Sequence, residues 1–163
     1  MVQPASAAVL LVEDNEEVAE VTIAMLETLS CVVTRVASAL LALEHLENGN
    51  RVDLVLTDIV MPGGVSGIDV ARTIRERHPQ LPVVLTTGDS AVAREAVDEG
   101  FTLISKPFHL GVLEKAIRSA LDNNGALHAP TPPLRRRGGP ARAGKTSAVR
   151  IKPAPRPARD LPS

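Results

Sequence analysis

Five short apolar runs alternate along the chain with five stretches in which apolar residues recur every three or four positions. The apolar runs cover residues 7–12, 31–36, 54–57, 82–87 and 102–105. Runs of this length, rich in valine, leucine and isoleucine, predict buried strands. After the first run, Val18, Val21, Met25 and Leu29 recur among glutamates, which is typical of an amphipathic helix. The whole pattern predicts five strand–helix pairs.

Residues suited to helix ends lie at the boundaries of the predicted helices. Asn15 and Ser38 precede the first two helices, where a side-chain oxygen can accept backbone N–H groups. Ser66 or Gly67 opens the third helix. Gly100 follows the fourth, as expected at a helix C-terminus. The fifth helix is expected to fade at residues 123–125.

The strict alternation of strands and helices predicts the topology. Right-handed crossovers place all the strands in one parallel sheet with helices on both faces. Five such units fit an α/β fold, a flavodoxin-like three-layer (βα)5 sandwich with strand order 2-1-3-4-5. The predicted domain covers residues 7–124 and follows a short extension, residues 1–6.

The composition changes after residue 124. Residues 1–124 carry 9 Lys and Arg against 18 Asp and Glu, whereas residues 125–163 carry 9 Lys and Arg against one Asp. The second part is rich in proline and shows no apolar period, so it cannot bury enough surface to offset chain entropy. We expect a disordered, solvated basic tail over 125–163. Nucleic-acid binding is disfavoured and would occur only through this tail.

Cysteine content and hydropathy indicate the cellular compartment in which the protein works. Cys31 is the only cysteine, so no internal disulfide can form and a cysteine-based metal site is disfavoured. No apolar stretch approaches the length of a membrane span, and the N-terminus lacks a basic segment before its first apolar run. These features predict a cytoplasmic protein without membrane contact.

Polar residues stand where several of the predicted strands end. Glu13 and Asp14 follow the first strand, Asp58 follows the third, Thr87 ends the fourth, and Lys106 follows the fifth. Because parallel strands share one carboxyl edge, we expect these side chains to meet there.

This set of side chains suits phosphoryl chemistry. Three close carboxylates repel one another unless a cation lies among them, and Mg²⁺ is the hard cation that carboxylate oxygens favour. Asp58 would keep an oxygen able to act as a nucleophile. Mg²⁺, Lys106 and the Thr87 hydroxyl could then each bind one oxygen of an incoming phosphoryl group. The residues therefore predict an aspartyl phosphate.

Four motifs carry a resemblance to a known family. In order and spacing they resemble the signatures of the receiver domain of bacterial two-component response regulators, a domain also found attached to hybrid sensor histidine kinases. The motifs are Leu-Val-Glu13-Asp14-Asn, Leu-Thr-Asp58-Ile-Val-Met-Pro, Leu-Thr-Thr87-Gly and Ser-Lys106-Pro-Phe. The resemblance covers about residues 7–124.

The resemblance implies a single-domain response regulator in a phosphorelay, a signalling domain rather than an enzyme. Asp58 would accept a phosphoryl group from a sensor histidine kinase or a histidine phosphotransfer protein. The Mg²⁺ ligands would be Glu13, Asp14, the Asp58 carboxylate and the backbone carbonyl of Val60. Thr87 would sense the phosphoryl group, Lys106 would pair with it, and the Lys106–Pro107 peptide would be cis. A downstream protein and a second copy of the chain are further candidate partners.

Three features depart from the common receiver pattern. Leu103 stands where receivers often carry an aromatic switch residue, and Phe101 lies two positions earlier. The loop 61–67 is one residue longer than the common form, as in receivers attached to hybrid kinases. Val60 and Asp89 stand two positions after Asp58 and Thr87, where receivers carry the residues that flank the route of the attacking water. Val60 cannot hydrogen-bond that water. We therefore expect slow autodephosphorylation and a different switching contact.

Two other uses of the fold are disfavoured. A nucleotide-binding protein needs a glycine- or hydroxyl-rich loop after the first strand, whereas Glu13 and Asp14 would repel phosphate without a cation. A haloacid-dehalogenase-like phosphatase needs a second aspartate where Val60 stands. Two alternatives stay open: a degenerate receiver that acts only through protein contacts, and a regulator that binds nucleic acid through its tail.

Overall fold

The computed structural model describes residues 6–128, which form five strands and five helices in alternation. The strands are β1 (Ala8–Val12), β2 (Val32–Val36), β3 (Leu54–Asp58), β4 (Val83–Thr87) and β5 (Thr102–Ser105). The helices are α1 (Glu16–Thr28), α2 (Ala39–Glu47), α3 (Gly67–Arg77), α4 (Ser90–Asp98) and α5 (Leu110–His128).

The strands form one parallel sheet in the order β2-β1-β3-β4-β5, which confirms the predicted flavodoxin-like fold. The central strand β3 pairs with β1 on one side and with β4 on the other. Because every strand runs in the same direction, the carboxyl ends of all five lie at one edge of the sheet. This carboxyl edge is where the predicted site residues fall.

The predicted helix caps are confirmed. The side chains of Asn15 and Ser38 each accept a hydrogen bond from the backbone N–H three residues later, at 3.0 and 3.3 Å. Ser66 begins α3 with a capping box, in which it and Asp69 bond each other's backbone N–H groups. These bonds satisfy N–H groups that have no partner within the helix.

Apolar side chains form three clusters on the two faces of the sheet. The α1–α5 cluster covers one face and contains Val9, Leu11, Ala19, Leu26, Cys31, Leu54, Leu56, Val84, Ile104, Leu113, Ile117 and Ala120. On the other face, the α2–α3 cluster contains Leu10, Val12, Ala39, Ala42, Leu46, Val55, Met61, Val70 and Ile74. The α3–α4 cluster beside it contains Ile59, Ile68, Ala71, Leu85 and Ala96. Neighbouring residues of β1 enter clusters on opposite faces, as strand geometry requires.

Gly67, the first residue of α3, lies directly against the end of β3. Its N–H donates a hydrogen bond to the Ile59 carbonyl at 2.9 Å. A Cβ atom at this position would lie 2.1 Å from the carbonyl oxygen of Asp58 and 2.9 Å from Ile59 Cα. A glycine is therefore needed for α3 to begin this close to the strand that carries Asp58.

Ion pairs link α3 to α4 across the surface. Arg72 of α3 donates hydrogen bonds to Glu95 of α4, to Glu99 at the C-cap of α4, and to Asp69 of its own helix. Hydrogen bonding from Arg72 lowers the pKa of Glu99 below its usual value. The side chains are partly exposed, so these pairs orient α4 more than they add stability.

The C-terminal helix differs from the prediction. Helix α5 continues to His128, past residues 123–125 where it was expected to fade. A glycine costs a helix about 1 kcal/mol relative to alanine, and the alanine and leucine that follow Gly125 are strong helix formers. The rest of the predicted disordered tail, residues 129–163, and most of the extension 1–6 lie outside the described residues. Among the helices of the described chain, none combines the length and apolar character needed to cross a membrane.

Candidate functional site

Three carboxylates meet at the carboxyl edge of the sheet. Glu13 and Asp14 follow β1, Asp58 ends β3, and carboxylate oxygens of all three lie within 4.8 Å of one another. Glu13 is buried, Asp58 is partly buried, and Asp14 is exposed to solvent. The strand topology thus brings together the acidic residues singled out in the sequence.

Lys106 joins two of these carboxylates from the other side of β3. Its Nζ donates hydrogen bonds to Glu13 Oε2 at 2.9 Å and to Asp58 Oδ2 at 3.1 Å. Lys106 reaches this position because it follows β5 directly and its backbone N–H bonds the carbonyl of Thr87 on β4, at 2.9 Å. The peptide bond to Pro107 is cis, as the family resemblance implied.

The charge of Lys106 is fixed by these contacts. Partial burial disfavours the ammonium, but the hydrogen bonds and charges of Glu13 and Asp58 outweigh that effect. The pKa of Lys106 is consequently raised above its ordinary value. At neutral pH the site therefore holds a cation against its two most buried carboxylates.

The acidic cluster fits a divalent cation. All its side-chain donors are carboxylate oxygens, which suit Mg²⁺. The ammonium of Lys106 offsets one of the three negative charges, so the side chains in contact leave an excess that one dication neutralises. Asp14, the most exposed of the three, leaves the site open to water, which Mg²⁺ usually retains.

Val60 lies beside Asp58 in the loop after β3. Its N–H donates to Asp58 Oδ1 at 3.4 Å, and the residue is 56% exposed. The side chain therefore stands in solvent at the mouth of the site and offers no hydrogen-bonding group. The role of the Val60 carbonyl as a metal ligand stays a prediction.

Thr87 lies buried at the end of β4, next to the β3 strand end. Its hydroxyl oxygen accepts a hydrogen bond from the Asp89 N–H at 3.1 Å. Asp89 is the N-cap of α4, where its carboxylate accepts the N–H of Ala91 at 2.9 Å. The Thr87 hydroxyl is thus linked through one residue to the start of α4.

Leu103, which stands where receivers often carry an aromatic switch residue, lies close to Phe101 in the packing of the sheet. Leu103 and Phe101 both pack against the α3–α4 cluster, so Phe101 lies on the same face of the sheet as Leu103. The guanidinium of Arg75 lies over the Phe101 ring, 3.9 Å from its centroid. This cation–π contact fixes the ring against α3.

An apolar groove opens beside the site, between α1 and the residues after β5. It has a volume of about 500 Å³, and Val18, Val21, Met25, Pro107 and Phe108 line its apolar surface. Glu17 stands at its rim, and Lys106 lies at the end nearest the carboxylates. Helix α1 carries no basic residue, and of its glutamates Glu17 lines the groove, so one acidic side chain lies beside the apolar floor.

Arg35 is a site residue that the sequence analysis did not single out. It lies on β2, and its guanidinium donates to the backbone carbonyls of Glu13, at 3.1 Å from Nε, and Asp14, at 3.3 Å from NH2. The available signal was a lone arginine within the otherwise uncharged run 31–36, near the end of a strand.

Comparison with known protein families finds a match over most of the chain. A family model described as the response regulator receiver domain matches residues 9–118. The receiver protein CpdR of Brucella abortus is 34% identical over 116 residues, which cover 69% of this chain and 95% of CpdR. The matched part of this chain thus corresponds to nearly the whole length of that receiver protein.

Other relatives are longer. The sensor kinase CckA of Brucella abortus is 35% identical over 121 residues, 72% of this chain but 13% of CckA. The response regulator PilR of Pseudomonas aeruginosa is 37% identical over 120 residues, 69% of this chain and 25% of PilR. The chain therefore spans a minor part of these relatives.

Solved structures show the same architecture. A response regulator receiver protein from Sinorhizobium medicae superposes with a TM-score of 0.67 at 30% identity, covering 73% of this chain and 97% of that one. A receiver domain protein from Clostridium thermocellum gives a TM-score of 0.68 at 29% identity, covering 74% and 98%.

Proposed function

The chain belongs to the response regulator receiver domain family, and from that membership we propose that Asp58 is its phosphoryl acceptor. Phosphorylation on an aspartate and Mg²⁺ binding are typical of this family. The phosphoryl group would come from a phosphohistidine of a sensor histidine kinase or a histidine phosphotransfer protein. The domain would act in cytoplasmic phosphorelay signalling and not as a classical enzyme.

The observation that carries the proposal is the position of Lys106. One ammonium hydrogen-bonds Glu13 and Asp58, which come from different strands and lie 93 and 48 residues away in the chain. A capping role for Asp58 or a solvent-facing role for Lys106 would not require this contact. A phosphoryl-accepting site does, because a cation must face the charge that arrives.

The transfer itself is a displacement at phosphorus. A carboxylate oxygen of Asp58 attacks the phosphorus atom, and an O–P bond forms. The P–N bond to the donor histidine breaks, and its electron pair stays on the imidazole nitrogen. Lys106 would pair with one phosphoryl oxygen, and the Thr87 hydroxyl, whose oxygen accepts the Asp89 N–H, would donate its own hydrogen to another.

The metal would be held by this chain's own oxygen ligands. Glu13, Asp14 and Asp58 would bind Mg²⁺ through their carboxylates, joined by the backbone carbonyl of Val60. Bound there, Mg²⁺ would neutralise charge on the transferred phosphoryl group. The Glu13 side chain is preset for this role, since its Oε1 already accepts the Asn15 N–H at 3.1 Å.

The groove along α1 is the surface we assign to the phosphodonor. It opens at Lys106, so a donor seated there brings its histidine towards Asp58. Its apolar floor suits an apolar stripe on the donor, and Glu17, on a helix without basic residues, suits a flanking lysine or arginine.

Intact-mass spectrometry tests the proposal directly. The protein is incubated with a small acyl phosphate and Mg²⁺, beside the Asp58→Ala variant and a sample with the metal chelated. We expect the parent to gain one phosphoryl group, and we expect no gain in Asp58→Ala or in the chelated sample. Asp98→Ala is the matched control, because Asp98 is an exposed aspartate of α4, and it should gain the group like the parent. Equal phosphorylation of Asp58→Ala would refute the assignment.

A further inference from the structure

Arg35 holds the turn that carries two of the three carboxylates. Its fork-shaped guanidinium bonds two consecutive carbonyls, those of Glu13 and Asp14, from the neighbouring strand β2. On the same turn, the Glu13 N–H donates to the carbonyl of Val36 at 3.1 Å. The end of β2 therefore fixes the backbone between β1 and α1 through three hydrogen bonds.

The Asp14 carboxylate needs such support more than the other two. Glu13 and Asp58 both accept hydrogen bonds from Lys106. Within the described chain, the Asp14 carboxylate accepts no hydrogen bond from another group, and it is exposed. Repulsion from its two acidic neighbours favours its moving away into solvent. Its place in the cluster depends on its backbone, which Arg35 bonds.

We propose that Arg35 is a positioning residue that raises the Mg²⁺ affinity of the Glu13–Asp14–Asp58 cluster. By bonding the two carbonyls, it would keep both carboxylates directed at Asp58 before the cation arrives, so that less ordering accompanies binding. The inference rests on the proposed function, since it presumes that the cluster binds Mg²⁺. It adds a determinant of that affinity that lies on a different strand from the ligands.

Electrostatics alone predicts the opposite change in Mg²⁺ affinity when Arg35 is removed. A guanidinium beside an acidic site repels a dication, so removing its charge would tighten Mg²⁺ binding. If Arg35 acts by positioning, its removal weakens binding in spite of the lost repulsion. A purely structural role, support of the edge strand β2, would change stability and leave the affinity unaltered. The three roles therefore give three distinct outcomes.

The test is an amide NMR titration with MgCl₂ alone on the parent, Arg35→Leu and Arg35→Lys, with unfolding by urea measured in chelator. We expect the dissociation constant to rise roughly tenfold in Arg35→Leu. Arg35→Lys keeps the charge but loses the fork, and we expect an intermediate rise. Arg51→Leu is the control, because Arg51 pairs with Asp53 before β3. The Mg²⁺ affinity of this variant should equal that of the parent.

Each result separates the hypotheses. Tighter Mg²⁺ binding by Arg35→Leu, with parental binding by Arg35→Lys, would show that only the charge of Arg35 acts. Equal Mg²⁺ affinities in all variants would show a purely structural role. Either result would overturn the inference. If Arg35→Leu does not fold, Arg35→Lys alone decides between weakened and parental binding. A parent that binds no Mg²⁺ would refute the metal site of the proposed function, and the role of Arg35 would fall with it.

Discussion

Lys106 donates a hydrogen bond to Asp58, with 3.1 Å between Nζ and Oδ2, although 48 residues separate the two in sequence. The contact joins the ends of β3 and β5 across the intervening strand β4. It makes the site a tertiary feature, because neither strand holds both charges. Disturbing either strand end should therefore alter both the stability of the fold and the chemistry of the site.

The ion pairs of Lys106 predict a defined pH dependence. The folded protein holds the Lys106 proton more tightly than the unfolded chain does, because the pKa is raised on folding. The stabilisation is complete below the ordinary lysine pKa of 10.5 and disappears as the pH rises through the higher folded value. We expect Lys106→Met to lower the free energy of unfolding by about 2 kcal/mol at neutral pH.

Urea unfolding from neutral pH to about pH 11, in chelator, measures this difference. Lys115→Met is the control, since Lys115 is exposed on α5 and should be replaceable at little cost. The gap between the parent and Lys106→Met should narrow only at the alkaline end. A gap that stayed constant across the range, or widened, would contradict the assigned ion pairs.

Gly67 should not tolerate a side chain. The Cβ of alanine would lie 2.1 Å from the Asp58 carbonyl oxygen, so α3 would have to move away from β3. We expect Gly67→Ala to lower the free energy of unfolding by about 1–3 kcal/mol. Gly111→Ala, at a helical glycine with open space around it, should instead stabilise by up to about 1 kcal/mol. Comparable stability of the two variants would show that the close approach is relieved without cost.

Val60 should slow the loss of the phosphoryl group. Its exposed side chain stands next to Asp58 and cannot orient an attacking water. In Val60→Asn one added hydrogen bond to that water should speed dephosphorylation by about tenfold. Mass spectrometry of the desalted phosphoprotein over time measures the decay. Val65→Asn, in the same loop, should decay like the parent; a Val60→Asn protein as long-lived as the parent would be evidence against the idea.

The α1 groove should matter for a protein donor and not for a small one. Val21→Gln places a polar group on the apolar floor, and we expect transfer from a phosphorylated donor protein to slow by about five- to tenfold. Phosphorylation by a small acyl phosphate should keep its rate. Val97→Gln is the matched control, because Val97 is on α4 and both valines are 58% exposed. If Val21→Gln slowed phosphoryl transfer equally from both kinds of donor, the substitution would be acting on the phosphorylation site and not on docking of the donor protein.

Much of the fold followed from local pattern. The apolar runs and the caps at Asn15, Ser38 and Ser66 are local signals, and strict alternation left few topologies to consider. The meeting of Glu13, Asp14 and Asp58 then followed from the shared carboxyl edge. The roles assigned to Asp58, Thr87 and Lys106 stay predictions, since geometry places these residues without testing their chemistry.

The features that the sequence did not predict are contacts between distant backbone and side-chain atoms. Arg35 bonds carbonyl groups, and every residue type has a carbonyl, so no pattern in the run 31–36 identifies its partners. The need for glycine at position 67 depends on how closely α3 approaches β3. The link from Thr87 to the start of α4 depends on a hydroxyl orientation that a strand pattern does not encode.

The unequal division of the apolar core has a consequence for local unfolding. The α3–α4 cluster has five buried residues, whereas the α1–α5 cluster has twelve and draws on four strands. Helix α4 contributes one buried residue, Ala96, to this cluster, and its Val92 packs against the cluster while partly buried. Partly exposed ion pairs from Arg72 to Glu95 and to the C-cap residue Glu99 add further contacts. Helix α4 should be among the first elements to open and to exchange its amide protons. Strand β1, which Glu13 follows, and strand β3, which ends at Asp58, would stay folded while α4 opens. The acidic site and the surface of α4 would then belong to separate cooperative units.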